Sequence, residues 1–286
     1  MKKLYPEDYI VIVFSVIIIP LQIYFITINT GFSAIIGFIV LILLIALNFK
    51  YNNHVIKFLR SYYHIPYYGI IFTAFQTFIH KVNPNDFDLT LLKIDLAVFG
   101  FDVTRWFEQY ISGWLTEVLT LSYFSYYVLP TLTFLILFFS KDTESFIRTR
   151  KYLLSIVTGW YAAFIFYYLM PAAGPDIAFP QHYSIPLMGL SPVTNSYLQT
   201  LSEYLKESSV RNTFPSMHFG IILISNYFAF IYKRKYFWLC TLPLGTLLGI
   251  ATVYLRQHYL IDLAGSVPMA IFSIYLSSLL INKKGH

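Results

Sequence analysis

The stretch YLIDLAGSVPMAIFSIYLSSLLI, residues 259–281, decides what kind of protein this is. It holds one charged side chain, Asp262, in a run that is otherwise apolar or small. A helix that crosses a hydrocarbon core about 30 Å thick needs about 20 mostly apolar residues, because its backbone donors and acceptors find no water there and must pair within the helix. Residues 259–281 meet that requirement. They also set a carboxylate near the start of a membrane helix, where an ionisable group is costly to hold and reads first as functional.

Seven more segments read as spans: Asp8–Ile28, Phe32–Asn48, Ile65–His80, Leu115–Phe139, Tyr152–Met170, Phe214–Tyr232 and Tyr236–Leu255. Ile65–His80 is short and opens on a proline, so a re-entrant segment is its alternative reading. The expected fold class is all-α, a polytopic transmembrane helical bundle of about eight spans. Residues 1–64 form an N-terminal two-span segment with its cytoplasmic connection, and residues 65–286 a larger membrane domain. Composition agrees: 57% of the 286 residues are hydrophobic, 12% are charged, and 27 Phe and 25 Tyr are present. No long stretch has the charge density to clothe a soluble domain. The net charge of +6 is spread in short clusters between apolar runs instead of along a stripe. That excludes nucleic acid as the expected partner and leaves the lipid bilayer.

Threading eight spans with the N-terminus inside puts all but Lys81, Lys93, Arg105, Lys206, Arg211 and Arg256 of the 20 Lys and Arg on the cytoplasmic side, as the positive-inside rule asks. The start, Met1-Lys2-Lys3 and a long apolar run with no small-x-small cleavage site, reads as a first span and not a removed signal. The single cysteine, Cys240, leaves no intrachain disulfide and no cysteine-based zinc site.

Two longer outer segments remain, Lys81–Gly113 and Pro171–Thr213. In the first, Leu89, Leu92, Asp95, Leu96 and Phe99 read as the apolar stripe of a helix lying on the membrane, with Trp106 and Trp114 as interfacial anchors. In the second, Tyr197–Ser208 reads as a short amphipathic helix.

The polar residues that lipid does not explain fall in two stretches. In Arg211-Asn-Thr-Phe-Pro-Ser-Met-His218, Thr213 is the expected N-cap and Pro215 suits the first helical turn. The N–H groups of Ser216, Met217 and His218, with the Ser216 hydroxyl, then form an anion site at the helix's positive end. In Arg256-Gln-His258-Tyr-Leu-Ile-Asp262, His258 and Asp262 are four apart and share a helix face, where a carboxylate fixes an imidazole's tautomer and raises its basicity. The plainer readings are an interfacial histidine and a capping aspartate. One span and its return separate the two stretches, so both face the same side. Together they suit phosphoryl transfer through a covalent intermediate. A metal-dependent hydrolase with two His and one carboxylate as ligands, and a proton- or anion-coupled transporter, are the alternatives.

Phe-Pro-Ser-Met-His at 214–218 and His258-Tyr259-x-x-Asp262-Leu263-x-Gly265 resemble motifs of the type 2 phosphatidic acid phosphatase (PAP2) superfamily, especially its inositol phosphorylceramide synthase branch. Tyr167-x-x-x-Pro171-x-x-Gly174-Pro175 is similar to that branch's upstream motif. A weaker similarity runs through Asp88-x-x-Leu91-x-x-x-Asp95-x-x-x-Phe99-Gly100 and Tyr123–Tyr127. The resemblance implies a six-helix catalytic core, within residues 65–286, that needs no metal or other cofactor and faces the periplasm or lumen. It implies His258 as the nucleophile that becomes phosphohistidine, Asp262 as its orienter and His218 as the general acid. Ser216, Met217, Gly174 and Tyr167 would line the phosphate or substrate site. The substrate would be a phospholipid or lipid phosphate, with water or a lipid hydroxyl, as of ceramide or diacylglycerol, as acceptor. The chain departs from the wider pattern where Ala163, Met170 and Thr252 stand for a Lys and two Arg that grip phosphate. Arg256 and Arg211 are the local replacements, although Arg256 lies about 200° around a continuous helix from His258.

Overall fold

The computed structural model describes residues 6–24, 79–208 and 210–281, with single positions 4, 36, 39, 40, 42, 43, 46, 62 and 72. Most of the expected span Phe32–Asn48, of Ile65–His80 and of the connection between them lies outside the described residues. Among the described residues every regular element is helical. The principal ones are α1 (Pro6–Tyr24), α2 (Asp88–Phe99), α3 (Gly113–Tyr123), α4 (Ser125–Phe138), α5 (Ser145–Leu169), α6 (Pro192–Ser208), α7 (Met217–Tyr232), α8 (Leu242–Tyr254) and α9 (Leu260–Leu280).

Among the described residues four helical stretches are long and apolar enough to cross a membrane: Gly113–Phe138, Ser145–Leu169, Arg234–Tyr254 and Leu260–Leu280. They overlap four of the expected spans. Helix α7 is apolar but has 16 residues, or about 24 Å at 1.5 Å each, short of the hydrocarbon thickness. It starts late because the chain before it does other work. Thr213, the expected N-cap, gives its hydroxyl to the Ala172 carbonyl at 2.7 Å. The cap is Ser216, whose Oγ accepts from the Phe219 N–H at 3.4 Å, and Pro215 stands before the helix.

Helix α7 touches α4, α5, α8 and α9 and so forms the centre of the bundle. Lipid offers no hydrophobic drive for helices to associate, so close approach and interhelical hydrogen bonds hold them. Tyr152 Oη lies 2.9 Å from Ser225 Oγ, joining α5 to α7. Ser155 Oγ lies 2.7 Å from Ser277 Oγ, joining α5 to α9. Ser266 on α9 gives its hydroxyl to the Ser216 carbonyl at 2.6 Å. Each such bond contributes on average about 0.6 kcal/mol. Gly265 lets the loop before α7 press onto α9, since a Cβ there would stand 2.7 Å from the Phe214 ring.

Helix α2 splits the expected stripe. Leu89 and Leu96 are exposed, while Leu92 and Asp95 are buried together with Asp88 and Leu91. The two aspartates are seven apart, two turns on one face, and that face packs against α9. The outward face carries Leu89, Leu96, Ala97 and Val98 beside Thr90 and Lys93. Trp106 and Trp114 are exposed, at 43% and 65%.

Candidate active site

At one end of the bundle, the turn between α8 and α9 and the loop before α7 meet. Helix α8 stops at Tyr254 because the next residues fold back: Arg256 adopts the left-handed conformation at φ 60°, and the N–H groups of Gln257 and His258 both donate to the Thr252 carbonyl, at 3.0 and 3.1 Å. His258 leaves this turn pointing inward, 4% exposed.

Helix α9 then begins under three carboxylates. Asp95 accepts the N–H groups of Leu260 and Ile261, one on each oxygen, both at 2.8 Å. Asp262 Oδ2 accepts the N–H of Tyr259 at 2.9 Å. Asp88 accepts the Tyr259 hydroxyl at 2.9 Å and the N–H groups of Ala173 and Gly174, also at 2.9 Å. Burial pushes the Asp88 and Asp95 carboxyls up, and these donors hold them back down. Gly174 sits at φ 93°, and a Cβ on it would fall 2.7 Å from the Gln257 carbonyl oxygen. The loop after α5 is thus locked against the turn that carries His258.

Inside this frame four side chains form one line. Asp262 Oδ2 is 3.1 Å from His258 Nδ1, His258 Nε2 is 3.1 Å from His218 Nδ1, and His218 Nε2 is 2.9 Å from Tyr123 Oη. A carboxylate can only accept, so His258 carries its proton on Nδ1. Its Nε2 is then a lone pair and accepts from His218 Nδ1–H, which leaves His218 Nε2 to accept from the Tyr123 hydroxyl. One assignment satisfies every contact, with both imidazoles neutral. Burial, and next to it the neighbouring His218, hold His258 well below the ordinary imidazole range, against a hydrogen bond with the Thr213 backbone. The arrangement can present an unprotonated, oriented Nε2 to an electrophile. Asp262 both caps the turn and faces the histidine, so the two sequence readings of it hold at once. Its Oδ1 has no hydrogen-bond partner among the described residues.

The remaining sequence candidates lie at different distances from this line. Ser216 is fully buried; its hydroxyl caps α7 and its N–H donates to the Asp262 carbonyl at 3.1 Å. The N–H groups of Met217 and His218 are the first-turn donors left to α7. Tyr167 is buried and its hydroxyl reaches the Pro215 carbonyl at 3.3 Å. Arg256 does gain a helix break, yet its guanidinium points elsewhere. It donates to the Ile185 carbonyl at 2.7 Å, lies 3.4 Å from Glu108 and stacks 4.0 Å over the Tyr183 ring. Arg211 pairs with Asp86 at 2.6 Å. Among the described residues no Lys or Arg side chain bonds to either imidazole. Nor is any group of three His, Cys, Asp or Glu there disposed to hold a metal ion, because the two imidazoles aim at each other.

Sequence reasoning set Asp88, Asp95 and Tyr123 within a weaker family similarity but gave none of them a role in the site. For the aspartates a further signal was their seven-residue spacing on a largely apolar helix. For Tyr123 that similarity was the signal, since a tyrosine in a span otherwise looks like any other aromatic there.

The sequence model described as the PAP2 superfamily matches residues 89–276. The chain is 23% identical over 192 residues to a PA-phosphatase related-family protein of Dictyostelium discoideum, a match over 58% of this chain and 33% of that protein. The chain thus spans about a third of that relative's length. No solved structure matches.

Proposed function

The chain belongs to the PAP2 superfamily, and from that premise we propose that it is a membrane-embedded lipid phosphatase or phosphotransferase working through a phosphohistidine on His258. The observation that carries this reading is the line Asp262, His258, His218, with both spacings 3.1 Å, inside a bundle of membrane-length helices.

The reaction follows from the geometry. The phosphoryl group enters between the two imidazoles and opens their contact. His258 Nε2 attacks phosphorus while Asp262 takes up the growing positive charge through Nδ1–H. The bond from phosphorus to the leaving oxygen breaks, and His218 gives that oxygen a proton. The N–H groups of Met217 and His218, at the positive end of α7, face the phosphoryl oxygens. Water or a lipid hydroxyl then attacks, returns a proton to His218 and breaks the N–P bond.

The finer reading is transfer of a phosphodiester headgroup, of the phosphoinositol type, to a lipid hydroxyl such as ceramide or diacylglycerol. It is supported by the lack of any cation bonded to the imidazoles among the described residues. A diester brings one negative charge, a monoester up to two, and a second charge is costly in a buried site without a counter-ion. The positive-inside threading supports a site on the non-cytoplasmic face.

The test is to give the purified protein in detergent labelled phosphatidic acid and phosphatidylinositol, with and without chelator, and follow free phosphate and new lipid. Turnover that survives chelation is expected. Loss on chelation with recovery on added zinc favours the metal hydrolase, and ion flux in vesicles with no lipid turnover favours the transporter.

A further inference from the structure

The reaction above gives no task to the hydroxyl at the end of the line. Tyr123 ends α3, 4% exposed, with Oη 2.9 Å from His218 Nε2, on the side of the ring away from His258. Its ring packs on the imidazole with centroids 5.0 Å apart, and Tyr126 packs on it at 4.5 Å. A buried imidazole bonded at one nitrogen only can turn over and exchange its two nitrogens. A partner on the second nitrogen fixes which one meets the reacting atoms.

We infer that Tyr123 is the positioning residue of His218: its hydroxyl holds Nε2 and so makes Nδ1 the nitrogen that exchanges protons with the leaving and incoming oxygens. This rests on His218 being the general acid of the reaction proposed above.

At rest Tyr123 donates to the neutral ring. A proton taken from solvent as the anion binds makes His218 an imidazolium, which donates Nε2–H to the Tyr123 oxygen and Nδ1–H to the leaving oxygen. As the P–O bond breaks and the N–P bond to His258 forms, the Nδ1 proton passes to the leaving oxygen while Nε2 keeps its own. The neutral ring now has its lone pair at Nδ1, facing the phosphohistidine. That lone pair takes the proton of the attacking water or lipid hydroxyl as the new P–O bond forms and the N–P bond breaks, and the imidazolium returns one proton to solvent as the product leaves, restoring the neutral ring. Tyr123 itself neither gains nor loses a proton. Without its hydroxyl the neutral ring has no reason to keep the proton on Nε2, and both proton transfers suffer.

Tyr123→Phe keeps the ring and its packing and removes the hydroxyl. Two substrates separate positioning from structure: phosphatidic acid in mixed micelles, whose alkoxide needs a proton to leave, and 4-nitrophenyl phosphate, whose phenolate does not. For phosphatidic acid, kcat is expected to fall about 10–100-fold, the usual cost of losing such a supporting bond, with KM unchanged. The burst of 4-nitrophenol, which reads phosphorylation of the enzyme alone, is expected to keep its rate. In a His218→Ala background Tyr123→Phe is expected to add no loss. A second variant with 3,5-difluorotyrosine at position 123 preserves the fold while weakening the acceptor, and is expected to slow phosphatidic acid alone. Equal loss with both substrates, or none with phosphatidic acid, overturns the inference. A wild-type protein that turns over neither of these monoesters, nor phosphatidylinositol supplied with a lipid hydroxyl, overturns instead the functional reading beneath it.

Discussion

Asp262 shows how one side chain constrains the chemistry. Its Oδ2 takes both the Tyr259 N–H and the His258 Nδ1 proton, so an Asp262→Asn amide that turns its NH2 toward Nδ1 also leaves the Tyr259 N–H without this acceptor. That orientation moves the histidine's proton to Nε2 and blocks the attacking lone pair. Turnover is expected to fall by about 10³–10⁴, the scale found when a carboxylate behind a catalytic imidazole becomes an amide, with a stability loss of about 1–3 kcal/mol for the unpaired N–H. Full activity in Asp262→Asn would remove the carboxylate from the mechanism. The depressed basicity of His258 gives a second expectation. A histidine shifted down stays unprotonated as pH falls through about 6.5, the ordinary value, and charges only below it. ¹⁵N spectra of histidine-labelled protein in detergent should show this ring neutral at pH 6; an imidazolium there contradicts the buried geometry. Much of this residue-level picture was legible in the sequence. Spacing brought His258 and Asp262 together, although His258 precedes the N-cap Tyr259 and meets Asp262 across the cap instead of along a helix face, and the short return between two spans put His218 beside them. The direction of Arg256 was not legible, because spacing around a helix says nothing once the helix stops.

Helix α2 marks where reading by element stopped short, and why. A stripe drawn for a helix on the membrane sets apolar residues outward, as Leu89 and Leu96 are, but says nothing of the polar residues that the other face offers to protein. The buried face holds Asp88 and Asp95 because they satisfy the backbone donors of α9's first turn and of the Ala173–Gly174 loop. Asp95→Ala leaves two buried N–H groups unpaired, at about 1–3 kcal/mol each, whereas Leu96→Ala, on the exposed face, should stay within about 0.5 kcal/mol. Reversible unfolding in detergent compares them, and equal effects would refute the buried aspartate face. Gly174→Ala combines a positive φ with a Cβ 2.7 Å from the Gln257 oxygen. Strain of about 1–3 kcal/mol is expected, along with lost activity, because His258 is the next residue after that carbonyl. Wild-type turnover in Gly174→Ala would show that the turn does not depend on this close approach.

At the scale of the whole molecule, hydropathy made the helical membrane class plain, since runs such as residues 259–281 have no other stable use. The start of α7 was harder to place, because the hydrogen bonds that delay it come from Ala172, far away in sequence. Orientation rests on the charge pattern and is open to direct test. In a Cys240→Ser background, Val193→Cys on exposed α6 should react with an impermeant maleimide from the non-cytoplasmic side, and Lys235→Cys from the cytoplasmic side alone. The reverse pattern would turn the molecule over. The claim on which the rest depends is covalent chemistry at one imidazole. Acidic conditions would lose a phosphohistidine, so the decisive measurement is an alkaline quench of the enzyme during turnover of ³²P-labelled lipid, followed by peptide mapping of the label. The account predicts base-stable, acid-labile label on His258, absent in His258→Ala and still trapped in His218→Ala from a substrate with a good leaving group. Label on another residue, or turnover that persists undiminished in His258→Ala, would contradict it.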